Sequence, residues 1–188
     1  MEKGVVAADV CVMEREKFIS NEIWMLTFSA AFQRAYIYSG GTEVRKKAFK
    51  NHLKSFIDNE LLSKYKDSVN DEEHLKSILS LIEESKKYKD ILTNGSINFG
   101  ISQKILNLYL KYRWCLKDIH TPPHFPVDRR IQENIKYKHL FSWTQLSDSK
   151  KYMELIEHVR GVVQKSNQYK SIAEFELIHF DRKLTKEK

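Results

Sequence analysis

The apolar residues of this chain recur every three or four positions along most of its length, whereas the alternation typical of β-strands is scarce. In the clearest case, Ile101, Ile105, Leu108, Tyr112 and Cys115 fall on one face of a single helix. Because this spacing fits the α-helical turn and not the two-residue repeat of a strand, the sequence predicts an all-α fold. The length of 188 residues suits one compact domain, and we expect a single helical domain over residues 1–188.

Stop signals and capping residues divide this pattern into helices. Gly40 and Gly41 end a first helix, Asn70 or Asp71 caps the third, and Asn94 with Gly95 marks a turn before the fourth. The three prolines, at 122, 123 and 126, predict an extended connector followed by a helix that opens at Asp128. The predicted helices cover residues 14–38, 43–65, a segment from 70 or 71, a segment after Gly100, a segment from 128, 148–165 and 171–183.

Two of these helices have faces with different expected surroundings. The first helix has one side available for burial, formed by Phe18, Trp24, Phe28, Phe32 and Ala35. In the helix after Gly100, a polar face lies beside the apolar stripe, and we expect this face to be open to a ligand: Lys104, Asn107 and Lys111.

Positive charge is concentrated in one part of the chain. The net charge is +7 and the isoelectric point about 9.2. Residues 100–140 hold eight lysines and arginines against three acidic residues, a net charge of +5. A basic patch of this kind favours an acidic partner such as a nucleic acid.

The cysteines and the hydropathy pattern exclude several classes of protein. With Cys11 and Cys115 alone, the chain has no disulfide framework, no all-cysteine zinc site and no four-cysteine iron–sulfur cluster. The sequence has no uncharged apolar stretch of about 18 residues, and its first residues lack the apolar core of an export signal. We therefore expect a cytoplasmic protein, associated with the nucleoid if bacterial, with no membrane partner.

Two short fragments carry the functional signal. "GISQK", at 100–104, places a glycine four residues before Lys104 at the start of an apolar helix, and "FPVD", at 125–128, places Asp128 at the start of the next. This pattern resembles the helix-hairpin-helix DNA glycosylase superfamily, most closely its 8-oxoguanine DNA glycosylase branch, over about residues 90–183. The resemblance implies a helix-hairpin-helix DNA-glycosylase-like helical domain, with the hairpin and catalytic segment at about 94–135. Ser102 stands where the family hairpin usually has a second glycine, and the connector between the fragments is longer.

The resemblance implies that Lys104 is the nucleophile and Asp128 its electrostatic partner. Both residue types suit cleavage of an N-glycosidic bond, because positive charge builds up on the sugar and a nearby carboxylate stabilises it. An amine that attacks C1′ replaces the base and forms a Schiff base, which permits strand cleavage by elimination. The expected activity is thus excision of a damaged or modified base together with AP lyase activity, without a cofactor.

DNA contacts and a base pocket are expected around these two residues. Backbone N–H groups of Gly100, Ile101, Ser102 and Gln103 are predicted to bind a phosphate, and the predicted side-chain contacts are Lys111, Arg129 and Arg130. A flipped base needs an aromatic wall. The residues considered for it are Trp24, Phe28, Phe99, Trp114, Phe125, Trp143 and Phe175.

Other interpretations of the sequence stay open. His120 and His124 are close together, but no compact set of Cys, Asp and His completes a site, so no metal is expected. The chain could instead be a non-catalytic helix-hairpin-helix module that binds nucleic acid, or a helical interaction protein whose basic face meets an acidic partner. No obligate protein partner is predicted. The sequence leaves the excised base open among an oxidised, an alkylated and a deliberately modified one.

Overall fold

The structure, a computed structural model, describes residues 2–33 and 35–180, with side chains from residue 10 onward. This part of the chain is helical and contains no β-strand, which confirms the predicted all-α class. The α-helices, in chain order, are α1 (Glu2–Phe32), α2 (Glu43–Phe56), α3 (Asp71–Ser85), α4 (Phe99–Cys115), α5 (Arg129–Asn134), α6 (Lys150–Ser166) and α7 (Ile172–His179).

Several helix boundaries differ from the predicted ones. α1 ends at Phe32 and not at 38, because Ile37 to Ser39 run extended beside residues 91–93: the N–H of Ser39 donates to Ile91 O at 3.0 Å. The predicted helix 43–65 is interrupted, since α2 gives way to a wider π turn at Ile57–Leu61 and a 3-10 turn at Leu62–Lys66. The last predicted helix ends at His179, and residues 181–183 lie outside the described part of the chain.

The cap of α3 is as predicted. The Asn70 side chain accepts a hydrogen bond from the N–H of Glu73 at 2.9 Å, and the Glu73 carboxylate accepts one from the N–H of Asn70 at 3.5 Å. This reciprocal pair stabilises the first turn, where three consecutive acids also face the positive end of the helix dipole.

α4 is the central helix of the fold. Every residue from Phe99 to Lys111 is buried, and the helix packs against α1, α3 and a 3-10 turn at Trp143–Gln145. The prediction of one buried stripe and one open polar face is therefore wrong, because neighbours surround α4 on all sides over these residues. Buried side chains from α1 to α7 join into one contiguous hydrophobic cluster around it.

α1 differs between its two halves. Ile23, Trp24, Thr27, Phe28 and Ala31 are buried, and the Trp24 ring lies edge-on to Tyr109 of α4 with centroids 5.6 Å apart. Residues 10–19, in contrast, are all exposed. Phe18, predicted to be buried, is 61% exposed, because it lies on the part of α1 that extends beyond the other helices.

Within the described residues, no helix combines the length and the apolar character that crossing a bilayer requires.

Candidate functional site

The two predicted catalytic residues lie next to each other. Lys104, in the second turn of α4, donates a hydrogen bond from Nζ to Asp128 Oδ2 at 3.2 Å. Both side chains are largely shielded from solvent, with 10% of Lys104 and 22% of Asp128 exposed. The extended connector that contains the prolines thus returns Asp128 to α4 across 24 residues of sequence.

Two buried amides fix the connector to α4. The Gln103 side chain donates from Nε2 to Val127 O at 2.8 Å and accepts at Oε1 from the N–H of Val127 at 3.1 Å. One turn later, Asn107 Nδ2 donates to Phe125 O at 3.0 Å. Because Gln103 and Asn107 are fully buried, these bonds form in a medium of low dielectric constant and strongly restrain the backbone next to Asp128.

The carboxylate of Asp128 has two separate roles. Its Oδ1 atom accepts hydrogen bonds from the N–H groups of Arg130 and Ile131, at 3.0 and 3.2 Å, and so caps the N-terminus of α5. Its Oδ2 atom faces Lys104. Asp128 is thus the N-cap residue and not a residue of the first turn, and the cap holds the carboxylate in position toward the lysine.

Trp143 completes the surroundings of the lysine. Lys104 Nζ lies 4.1 Å from the centroid of the Trp143 ring, within the range of a cation–π interaction. The turn that bears Trp143 lies directly against Gly100, where an added Cβ would be 1.7 Å from Trp143 O. Gly100 is therefore required by this close approach. A positive φ is not the reason, since in the described chain the glycines with positive φ are Gly41 and Gly95.

The predicted phosphate grip at the start of α4 is not available. The N–H of Gly100 donates to Leu146 O at 3.0 Å, that of Ile101 to Asn98 Oδ1 at 2.9 Å, and that of Ser102 to Asn98 O at 3.0 Å. Together with Gln103, whose side chain holds Val127, these residues are buried. Their assignment as DNA-binding residues is wrong, because no surface is left for a phosphate.

Lys104 and Asp128 open onto a cavity of about 700 Å³. Its wall combines aromatic, basic and acidic side chains drawn from α1, α4, the connector, α5 and α7. The lining residues are Leu26, Ser29, Ala30, Phe32, Gln33, Lys104, Leu108, Tyr112, Pro126, Asp128, Arg129, Arg130, Trp143, Glu176 and Phe180. A volume of this size is in the range of pockets that enclose small organic groups.

A second buried ion pair includes Glu176, which lines the same cavity. Lys111 Nζ donates to Glu176 Oε2 at 2.7 Å, and Nζ also lies 4.1 Å from the centroid of the Phe180 ring. Burial raises the pKa of Glu176, and the charge of Asp128 raises it further, whereas Lys111 opposes the shift. Because Lys111 is 8% exposed and held by Glu176, its prediction as a phosphate contact is wrong.

The arginines at the start of α5 remain accessible. Arg129 and Arg130 are exposed and lie at the edge of the cavity, and Arg129 Nε donates to Glu133 at 2.8 Å on the helix surface. Half of the Arg129 side chain is exposed, so this surface pair restrains it only weakly. Both guanidinium groups can therefore reach an anion at the cavity mouth.

Of the seven aromatic residues considered for a base pocket, Trp143 lines this cavity. Trp114 lines a different cleft, of about 580 Å³, beside His120 and Arg160. The other five are buried in the hydrophobic core and do not reach the cavity: Trp24, Phe28, Phe99, Phe125 and Phe175. The lining residues that the sequence did not indicate include Phe32, Tyr112, Glu176 and Phe180. For Glu176, the signal was an acid at a position of α7 flanked by apolar residues.

His124, one of the two histidines considered for a metal, has other contacts. His124 is buried, with Nδ1 3.0 Å from Tyr152 Oη and Nε2 3.0 Å from Asp71 Oδ1. Burial lowers the pKa of His124 to about 4. Among residues 2–33 and 35–180, no group of three or more His, Cys, Asp and Glu side chains could hold a metal ion.

The fold and the site together define an all-α protein with a lysine–aspartate pair in a mixed aromatic and basic cavity. In comparisons with protein-family models, curated proteins and solved structures, nothing matches this chain.

Proposed function

We propose that this protein is a DNA glycosylase that excises a damaged or modified base through Lys104 and then cleaves the strand as an AP lyase. The observation that carries the proposal is the shielded contact of Lys104 Nζ with Asp128 Oδ2, at 3.2 Å, in the wall of a cavity of about 700 Å³. An ion pair on the open surface would contribute little to stability and would not line a cavity. Here, the amine of Lys104 and the carboxylate of Asp128 are held together beside the Trp143 ring, an arrangement that suits excision of a base.

The chemistry follows from these two groups. Lys104 must be neutral to attack, and the Asp128 carboxylate is a proton acceptor within hydrogen-bond distance. As the C1′–base bond breaks, its electron pair leaves with the base, the base takes up the proton that Asp128 accepted from Lys104, and the regenerated Asp128 carboxylate stabilises the positive charge that develops on the sugar. The Lys104 nitrogen then bonds to C1′, the sugar ring opens, and loss of the C2′ proton from the resulting Schiff base expels the 3′ phosphate.

The cavity offers the contacts that a flipped base needs. The rings of Trp143, Tyr112 and Phe180 provide flat apolar surfaces, and the Glu176 carboxylate provides a hydrogen-bond acceptor. A helix-hairpin-helix glycosylase, which the "GISQK" and "FPVD" fragments resemble, would place its base in such a pocket. The backbone N–H groups of residues 100–102 already donate to other residues of the protein, which counts against phosphate binding at the hairpin. We therefore assign DNA contact to Arg129 and Arg130, which are exposed.

The decisive experiment is borohydride trapping with a panel of duplexes that carry oxidised, alkylated or otherwise modified bases. The wild-type protein is expected to form a covalent adduct with its substrate, and Lys104→Gln is expected to form none. Lys138→Gln, at an exposed lysine, is the matched control and should trap at the wild-type rate. A thermal melt of each variant verifies that it is folded. Full trapping by Lys104→Gln, or no base release from any duplex, would refute the proposal.

The accessible arginines also favour a second candidate, a nucleic-acid-binding module without catalysis. Each phosphate that a protein neutralises releases counterions, so binding weakens as salt rises. Arg129→Ala combined with Arg130→Ala should weaken DNA binding and flatten its salt dependence. Binding that depends on these arginines without any base release would support the module, whereas an absence of DNA binding would favour an interaction protein with another acidic partner.

A further inference from the structure

One segment of α1, residues 10–19, is exposed along its whole length. The next residue, Ser20, is held to α4, because its Oγ accepts a hydrogen bond from Arg113 at 3.0 Å. These ten residues make almost three helical turns, about 15 Å in length. These residues continue α1 beyond the buried part of the helix, so their exposed side chains are available to a partner.

An apolar stripe follows the exposed side of α1. It consists of three pairs of residues spaced seven apart: Cys11 with Val12, Phe18 with Ile19, and Met25 with Leu26. All six residues are exposed, and the five apart from Cys11 range from 41% exposed for Ile19 to 61% for Phe18. At 3.6 residues per turn, the stripe spans about 140° of the helix, opposite the side that is buried against α4. A seven-residue repeat of apolar pairs is typical of a helix that packs along another helix.

Two opposite charges lie in the middle of this stripe. Arg15 and Glu22 follow the same seven-residue spacing and fall between the apolar pairs. In an antiparallel pair of α1 helices centred between Phe18 and Ile19, Arg15 of each copy lies opposite Glu22 of the other. The same register places Val12 opposite Met25 and Cys11 opposite Leu26. In a parallel pair, Arg15 would face Arg15, which is unfavourable, so the charges select the antiparallel arrangement.

We propose that α1 is an interaction surface for a second copy of this chain, and that two α1 helices pair antiparallel about a two-fold axis. Residues 10–19 of α1 in each copy then cover the exposed stripe on the later part of α1 in the other copy, at Met25 and Leu26. Such an interface is self-complementary, as a two-fold dimer requires. This proposal replaces the expectation that no protein partner is needed, and it does not depend on the proposed glycosylase activity.

The arrangement also relates the dimer to the cavity. Leu26 belongs both to the stripe and to the lining of the cavity that contains Lys104. The α1 helix of the second copy would therefore run beside the cavity mouth and form part of its edge.

The oligomeric state and a charge reversal test the proposal. Sedimentation equilibrium of the full chain should give twice the mass of the chain. Arg15→Glu and Glu22→Arg, each alone, should weaken the dimer by roughly tenfold or more, since each places like charges opposite one another. The double variant restores opposite charges and should return the dissociation constant to within a few fold of wild type. A monomeric wild type, or a double variant as weak as the two single variants, would overturn the proposal.

Disulfide crosslinking tests the register. In a Cys115→Ser background, Leu26→Cys should crosslink under oxidation to native Cys11 of the second copy. Without Leu26→Cys, no crosslink should form, because the two Cys11 residues would be about 22 Å apart along the antiparallel pair, beyond disulfide reach. Crosslinking through Cys11 alone would show a parallel pair, and an absence of crosslinking in both proteins would exclude this interface. Because the substituted residues are exposed, thermal melts should match wild type at low protein concentration.

Discussion

The Gln103 side chain holds the backbone of Val127 by both of its polar groups, with Nε2 2.8 Å from Val127 O and Oε1 3.1 Å from Val127 N. Gln103 immediately precedes Lys104, and Val127 immediately precedes Asp128. A single buried amide thus sets the separation of the two residues that we propose to be catalytic. It connects α4 to the connector at the point where the lysine and the carboxylate meet.

Gln103→Leu should therefore destabilise the protein and impair the site. The leucine has a similar volume but leaves the N–H and C=O groups of Val127 buried without partners, a loss of roughly 2–5 kcal/mol in the free energy of unfolding. Denaturation by urea measures this loss. Gln164→Leu, at an exposed position of α6, is the control and should change the stability by less than about 0.5 kcal/mol. A stable Gln103→Leu variant would show that Val127 does not need the amide.

Gly100→Ala should displace the turn that bears Trp143. The new methyl group would lie 1.7 Å from Trp143 O, so the turn must move, and a loss of about 1–3 kcal/mol in stability is expected from overpacking. Because Trp143 lies over Lys104, base release should also fall. Gly161→Ala is the matched control: its Cβ would meet nothing within 4 Å in α6, and it should gain about 0.5–1 kcal/mol. Equal melting temperatures for the two variants would contradict the close approach at Gly100.

Local signals in the sequence were sufficient to predict most of the helices and the cap of α3. Asn70 and Glu73 are three residues apart and interact with each other, so their pairing depends on no distant residue. The role of Asp128 as a helix-start residue was accessible for the same reason. Its proximity to Lys104 came from the family resemblance, since no local pattern determines how a connector of this length folds back.

The features that were predicted wrongly depend on distant parts of the chain. The requirement for Gly100 arises from Trp143, and the burial of Lys111 from Glu176, which follows it by 65 residues. Helical periodicity could identify one apolar stripe of α4 but not that neighbours cover its polar side as well. Phe18 shows the converse, because an apolar residue at helical spacing is buried only if another element reaches it.

The stability of the protein should fall at acidic pH through Asp71. Its carboxylate accepts two hydrogen bonds from Arg160, both 2.6 Å long, and this interaction lowers the pKa of Asp71 from 3.8 to about 2. The lowered pKa means that the folded state binds the proton less readily, so the stabilisation is complete above pH 3.8 and is lost as the pH falls toward 2. Because about a third of the side chain is exposed, we expect about 1–2 kcal/mol.

Asp71→Asn should therefore lower the free energy of unfolding at pH 7, with a difference from wild type that shrinks between pH 4 and 2. Urea denaturation at several pH values measures this difference. Glu157→Gln removes the other, more exposed partner of Arg160 and should have little effect. A difference that is constant down to pH 2 would show that the ion pair is not the cause.

The two oxygens of Asp128 allow its capping role to be separated from its proposed chemical role. Asp128→Asn retains an oxygen that can accept from the N–H groups of Arg130 and Ile131, so α5 stays capped, but it removes the negative charge beside Lys104. Asp128→Ser can also cap α5 through its hydroxyl, but it has no second oxygen to face Lys104. If Asp128 stabilises the transition state, the free energy of unfolding of both variants should lie within about 1 kcal/mol of the wild-type value. The rate of single-turnover base release should fall by orders of magnitude. DNA affinity should stay unchanged, because the loss lies in the rate of base release.

If Asp128 only caps α5, both variants should excise at the wild-type rate, and Asp128→Ala alone should lose about 1 kcal/mol of stability. That outcome would remove Asp128 from the proposed catalytic pair and leave its role as the N-cap of α5.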